Sequence, residues 1–316
     1  MIIRNIIYGL FALVMCLTSC RRIDLHESTS SIYLDIQTDY NPNIKVVEYM
    51  NMDAFPSLQE KLCGSVVQLY HVCFYDKEYH DLIEDTYVSR NGGFLNVPPG
   101  NYDMIIYSVG SDVTLIKNTA GRAMTLACTS VGTWDGMAMI DEPEHIFVAV
   151  QEDVVIPVYS DSEELRIFPV KTEKVLDSYS FKIANVEGIE KIYDVEMYVS
   201  GQFQGIYLWD RRKQDRMCQV RVEPVVDVND KSIYTVFNTF GRIEQSPVEI
   251  NLIVTDKNGR KFRWKIDVTE ILDDPDNEYN SIFLDNILII PDTSQGDGFV
   301  PEVDEWDDEI TYVPIS

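Results

Sequence analysis

The residue of this sequence best placed for chemistry is a thiol, Cys20, closing the run Leu17-Thr18-Ser19-Cys20. Arg4 charges the start of the chain, and residues 6–17 (IIYGLFALVMCL) are almost continuously apolar. A run of this length is too short for a comfortable membrane-spanning helix and suits the core of an export signal. Leu17 and Ser19 ahead of Cys20 match the motif read by lipoprotein signal peptidase, which cuts before a Cys whose thiol has been acylated. The expectation is a signal peptide over residues 1–19 and a mature chain starting at Cys20. Its acyl chains would hold the protein at a membrane with about 0.8 kcal/mol per buried CH₂.

Other chemistry has little support. G-x-S-x-G, H-E-x-x-H, G-x-G-x-x-G and P-loop patterns are absent, and His26, His71, His80 and His145 are scattered. No catalysis, metal or cofactor is expected. Asp274-Pro275-Asp276-Asn277-Glu278-Tyr279-Asn280 loosely echoes a calcium loop, but Tyr279 stands where an EF-hand needs Gly, so a charged surface loop is the reading. Arg211-Arg212-Lys213 with Arg216 reads as a solvated hairpin tip able to dock an anionic partner. Trp209, Trp264 and Trp306 are candidates for lining a sugar site, although Trp in strands is more often core. Cys63, Cys73, Cys128 and Cys218 are too widely spaced for a metal-site pattern, and both disulfides and buried thiols fit them.

The elements that would position such groups are strands. The 316 residues include 18 Tyr and 13 Phe among abundant Val and Ile, a composition that favours sheets. The formal net charge of −26 repels phosphate backbones, which excludes nucleic acid as a partner. Residues 32–38 alternate, with Ile32, Leu34 and Ile36 facing one way and Tyr33, Asp35 and Gln37 the other, as in a half-buried strand. Residues 57–62 predict a short helix with Ser57 as N-cap and Glu60 at the capping-box position. Strands are predicted over 66–75, 86–90, 94–97, 102–109, 124–129, 145–150 and 154–159, with turns at Asn91-Gly92-Gly93 and Pro98-Pro99-Gly100-Asn101. A second series covers 165–170, 179–186, 195–200, 218–226, 233–240, 248–255, 261–268 and 287–290. Helical turns are predicted near 187–194 and 269–272. Asp256-Lys257-Asn258-Gly259 predicts a hairpin with a type I′ turn.

The chain therefore reads as all-β. A tether over 20–31 leads to an N-terminal β-sandwich domain over 32–158 and a C-terminal one over 159–316. After residue 290 come eight carboxylates and no Lys or Arg. Within this acidic tail residues 309–315 alternate like a strand, and Ile310, Tyr312 and Val313 are the candidate partner contacts.

Several stretches carry a family resemblance. They are Cys20-Arg21-Arg22, the segment from Gly92-Gly93-Phe94-Leu95 through Pro98-Pro99-Gly100-Asn101-Tyr102-Asp103-Met104, and Glu187-Gly188-Ile189 running to Val199-Ser200-Gly201. Asp267-Val268-Thr269 after a hairpin and the ending Gly298-Phe299-Val300-Pro301-Glu302-Val303-Asp304-Glu305-Trp306 complete the set. Together they resemble the fimbrillin-type lipoproteins of the Bacteroides group, nearest the anchor and accessory subunits. The resemblance implies two tandem transthyretin-like β-sandwich domains, a lipid-held N-terminus and a place in fimbriae at the outer membrane, exposed at the cell surface. Shaft subunits of such fimbriae are joined by donor-strand exchange, so the implied partners are the membrane, through the lipid, and fimbrial subunits, through a strand. A host or glycan ligand is a further implied partner, and a surface glycan-binding lipoprotein is the alternative reading.

Overall fold

The computed structural model describes residues 29–41, 56–158, 166–277, 280–291 and 310–313. The strands of the first half are β1 (Ser30–Thr38), β2 (Leu69–Asp76), β3 (Leu82–Ser89), β4 (Gly92–Val97), β5 (Gly100–Val109), β6 (Leu115–Lys117), β7 (Leu126–Cys128), β8 (Val131–Trp134), β9 (Met137–Asp141), β10 (Phe147–Ile156) and β11 (Arg166–Lys174). Those of the second are β12 (Asp177–Ala184), β13 (Ile192–Phe203), β14 (Gly205–Tyr207), β15 (Met217–Val222), β16 (Val225–Asp227), β17 (Ser232–Thr239), β18 (Glu249–Asp256), β19 (Lys261–Asp267), β20 (Ser281–Asp285) and β21 (Ile310–Val313). Two short helices, α1 (Pro56–Cys63) and α2 (Thr269–Asp273), and two 3-10 turns, Arg122–Met124 and Ile189–Lys191, complete the described elements. The all-β expectation holds.

Seven strands close into a barrel in the order β1-β11-β10-β5-β2-β3-β4, with β4 returning to β1. The alternation read in residues 32–38 sends Ile32, Leu34 and Ile36 into the barrel, where they meet Tyr70, Val72 and Phe74 of β2 and Met104 and Ile106 of β5. The intervening Cys73, Tyr75, Ile105 and Tyr107 are buried in a second core. β2 and β5 thus bury both faces, which is why their sequences are apolar nearly throughout. The second core is enclosed by a four-stranded sheet, β16-β17-β12-β20, and a seven-stranded sheet, β21-β19-β18-β13-β15-β9-β8. Phe181, Ile183 and Phe237 of the former pack in one cluster with Met197, Val220, Leu252 and Trp264 of the latter.

These sheets do not divide at the expected boundary of 158/159. β11 lies beyond it, yet pairs with β1 and β10 in the barrel. β9 lies before it, yet pairs in parallel with β15, placing Val220 opposite Ile140. Where an N-terminal sandwich is expected, β1 closes a barrel by pairing on both edges. A strand joins whichever edge leaves its backbone groups satisfied, and chain order does not decide that. Across the junction, Leu58 and Leu62 of α1 pack on Tyr234 and Val236 of β17, each worth about 1.5–3 kcal/mol if fully buried. Asn238 Nδ2 and Lys174 Nζ donate to the Lys61 and Leu62 carbonyls at 3.1 and 3.2 Å, satisfying the last turn of the helix. The helix begins at Pro56, so Ser57 lies inside the first turn and not at the cap.

Some local expectations change. The segments 145–150 and 154–159 are one strand, β10, bulged between Gln151 and Val154. Residues 287–290 contribute only an isolated bridge from Ile289 to Glu187, while β20 supplies the edge strand. The hairpin between β18 and β19 is present, but Gly259 alone in its loop has positive φ, 82°. The Asp256 carboxylate accepts N–H bonds from Asn258 and Arg260, fixing a type I turn with a glycine bulge in place of the I′ turn. The loop with two successive positive φ values is Asp135-Gly136, at 50° and 74°, between β8 and β9. Cys63, Cys73, Cys128 and Cys218 are free thiols.

Candidate functional site

Leu17, Ser19 and Cys20, like Trp306, lie outside the described residues. The other predicted contacts, Ile310, Tyr312 and Val313, fall on β21, an edge strand of the seven-stranded sheet. β21 runs parallel to β19, pairing Ile310 with Arg263, Tyr312 with Lys265 and Val313 with Ile266. β19 is paired along its length with β18, and β21 covers four of its seven residues on the other side. On β19, Trp264 and Ile266 turn to the core while Lys261, Arg263 and Lys265 share the opposite face. Alternating cations on an edge discourage chance pairing with foreign strands. A four-residue parallel ladder is a shallow attachment, drawn from the low-stability end of a fold.

A second site lies where the barrel, the end of α1 and the facing sheets meet, in a cleft of about 1030 Å³. His71 of β2 stands in register with Tyr87 of β3 on one side and Tyr107 of β5 on the other. The Tyr87 and His71 rings stack at 4.4 Å and 9°, and Tyr107 meets His71 edge-on at 5.1 Å. His71 Nδ1 lies 2.5 Å from the Tyr107 hydroxyl and Nε2 lies 2.6 Å from Asp85 Oδ2. Burial, reinforced by Cys73, raises the Tyr107 pKa far above the ordinary phenol range. The phenol therefore stays protonated, and the imidazole is held between its hydroxyl and the Asp85 carboxylate. The row descends from Tyr87, 57% exposed, to Tyr107, 3% exposed. Across the cleft, Lys61 Nζ pairs with Glu142 at 2.7 Å, and Asn238 N–H donates to the same carboxylate at 3.2 Å. Burial nevertheless raises the Glu142 pKa.

The thiol beside His71, that of Cys73, is not poised for attack. Cys73 Sγ is 3.9 Å from His71 Nδ1, but burial pushes its thiol to about 11, so the thiolate needed for attack is scarce at neutral pH. The other candidates are engaged structurally. Trp264 is core, and Arg122 lies 4.0 Å over Trp209. The basic cluster is solvated in part: Arg212, which lies 4.3 Å over Tyr207, and Arg216 are exposed, whereas Arg211, at φ 61°, reaches Val148 O of β10 at 3.5 Å. In the calcium-like loop Asp274 accepts the Asp276 N–H, and Asn277 bridges the Ile271 and Ser281 carbonyls, so both brace the turn.

Sequence reading missed the Tyr87–His71–Tyr107 row, because only strand register brings the three together. It also missed Trp134, which stacks on Tyr198 at 3.9 Å with Arg263 4.8 Å over its ring. The signal for the latter was present: Asp135-Gly136 follows it directly, a hairpin dipeptide.

A family model described as a domain of unknown function (DUF5119) matches residues 60–223. A Bacteroides ovatus protein provisionally named fimbrium anchoring subunit Fim4B is 25% identical over 205 residues, 63% of this chain and 55% of that relative. The chain thus spans about half the length of the curated relative it matches. Among solved structures, a Bacteroides ovatus protein described provisionally as an adhesin superposes with a TM-score of 0.57 at 19% identity, covering 84% of this chain and 96% of that one. A Bacteroides thetaiotaomicron protein, described provisionally as polysaccharide binding (DUF1812), gives 0.50 at 12% identity over 81% and 89%. At such identities the likeness is one of fold.

Proposed function

The chain belongs to the DUF5119 family of domains of unknown function, and on that premise we propose that it is a non-enzymatic accessory or anchoring subunit, or an adhesin, of a surface fimbrium. The resemblance to fimbrillin-type lipoproteins stands behind this reading, since the curated relative is named for fimbrium anchoring and the structural one for adhesion. In it, Leu17 and Ser19 direct cleavage, Cys20 carries the acyl chains, and residues 20–31 tether the folded part to the outer membrane. The barrel and the facing sheets correspond to the two tandem transthyretin-like units that the resemblance implies. Contact with other subunits runs through β21. This strand, bearing Ile310, Tyr312 and Val313, passes to a partner's edge.

The observation that carries the reading is the parallel seating of β21 on the edge of β19. Main-chain pairing at an edge supplies affinity without needing a special side-chain surface. The test is a pulldown from native outer membranes with the full tagged chain, followed by mass spectrometry. A fimbrial subunit should co-purify, and deletion of residues 304–316 should remove it while Cys20→Ala releases the chain from the membrane. In the deletion, those backbone amides of residues 263–266 that face β21, every second one, should exchange faster. A subunit retained after the deletion would sink the strand-contact idea.

A further inference from the structure

The cleft between the barrel and the facing sheets lies apart from the β19–β21 edge, and its chemistry points to a ligand of its own. We infer that it is a binding site for a neutral oligosaccharide, with the ring of Tyr87 as the stacking platform. This goes beyond the fimbrial reading and does not depend on it.

The platform is built in advance. Tyr87 presents an exposed ring whose back is stacked on His71, and His71 is fixed at both nitrogens by Tyr107 and Asp85. Aromatic faces held in this way bind the C–H faces of a pyranose without first losing rotamer freedom. The walls supply matching polar groups. Ser108 Oγ accepts the Phe147 N–H, and Ser111 Oγ accepts the N–H groups of Val113 and Thr114. Each hydroxyl spends its acceptor side on the backbone, and its proton has no acceptor among the described residues. Two half-buried O–H donors therefore face a ligand that must offer oxygen lone pairs.

Charge narrows the class further. The lining carries five carboxylates (Glu60, Asp141, Glu142, Glu144 and Glu223) against two cations: Lys61, paired with Glu142 at 2.7 Å, and Arg221, which lies 3.8 Å from Glu223 and keeps a buried Nε without a hydrogen-bond partner among the described residues. A phosphate, sulfate or sialic acid would meet repulsion. Among the described residues no cluster of three His, Cys, Asp or Glu side chains could hold a metal ion, which leaves no built site for a divalent cation. Carboxylates beside an aromatic face instead accept hydroxyl groups in pairs, the arrangement a polyol requires. The volume, about 1030 Å³, is at the large end for a small-molecule site, and a junction between units is where such sites concentrate.

The test uses the full chain in detergent on an array of neutral, sialylated and sulfated glycans, followed by calorimetric titration of a neutral oligosaccharide that binds. A Lys/Arg-rich peptide is titrated in parallel. Tyr87→Ala should weaken the oligosaccharide on the order of tenfold, and Tyr87→Trp should retain it. Tyr193→Ala should change nothing, since Tyr193 is 78% exposed and outside the cleft. Should Tyr87→Ala fail to fold, Val66→Trp, which fills the mouth from a position 58% exposed, must give the same loss. The inference is overturned if no neutral glycan binds, if binding survives these substitutions, or if only anionic glycans or the basic peptide bind.

Discussion

Gly92 approaches Leu34 so closely that a Cβ built on it would stand 1.8 Å from the Leu34 carbonyl oxygen. The two residues lie on β4 and β1, the pair of strands whose ladder closes the barrel. Gly92 also holds φ at 94°, a conformation that L side chains rarely adopt. Glycine is needed here twice over, for backbone angle and for the approach of one strand to the next.

Gly92→Ala should therefore force β4 away from β1 and cost on the order of 3 kcal/mol or more, read as a loss in urea unfolding. Gly136 is the contrasting case. Its φ is also positive, 74°, but nothing lies within 4 Å of a Cβ there. Gly136→Ala should cost only about 1 kcal/mol, the strain of the turn alone. Equal losses at the two sites would refute a steric role for the β1–β4 contact.

The Arg122–Asp103 ion pair should behave as a buried pair. Asp103 is 1% exposed, Arg122 pairs with it, and the guanidinium lies 4.0 Å over Trp209 of the second half. Removing the cation alone strands a carboxylate in the interior. Arg122→Ala should cost about 3–5 kcal/mol, whereas Arg122→Met combined with Asp103→Asn should cost much less. A double-mutant cycle in urea measures the coupling, and additive losses would show that the pair is not coupled.

Acid should destabilise the fold through His145. Burial, with Lys174 adding repulsion, depresses its pKa from the ordinary 6.5 to about 4, while the Leu62 and Lys61 carbonyls oppose this weakly. Between those values the unfolded chain binds the proton and the folded chain does not. Stability is thus full above pH 6.5 and falls as the pH drops towards 4, by on the order of 2–3 kcal/mol from this group. His145→Gln should flatten the slope of unfolding free energy against pH over that window. An unchanged slope would remove His145 as its source.

Much of the architecture was legible locally. Alternation in residues 32–38 named the buried face of β1, and the glycines of Asn91-Gly92-Gly93 placed the turn into β4. The β18–β19 hairpin followed from Asp256 to Gly259, although the Asp256 carboxylate, by capping the loop, changed its turn type. The cleft was not legible at all. His71 reads in the sequence as one of four scattered histidines, while the partners that matter are Tyr87 and Tyr107, reached through strand pairing. The β8–β9 hairpin was missed although Asp135-Gly136 marks it; its strands are four and five residues long and mostly not buried, so no apolar alternation flags them.

By itself the sequence determined what a few neighbouring residues can decide, strand against helix and the position of turns, together with a net charge of −26. Those properties follow from backbone angles, side-chain alternation and summed charge, each a local or additive quantity. The tertiary structure alone decided that β1 lies parallel to β11, that β9 crosses to β15, and that β21 covers β19. Such pairings are settled by competition among many edges for the same backbone hydrogen bonds, over separations that no local pattern spans. The Tyr87–His71–Tyr107 row exists only once that competition has set the register.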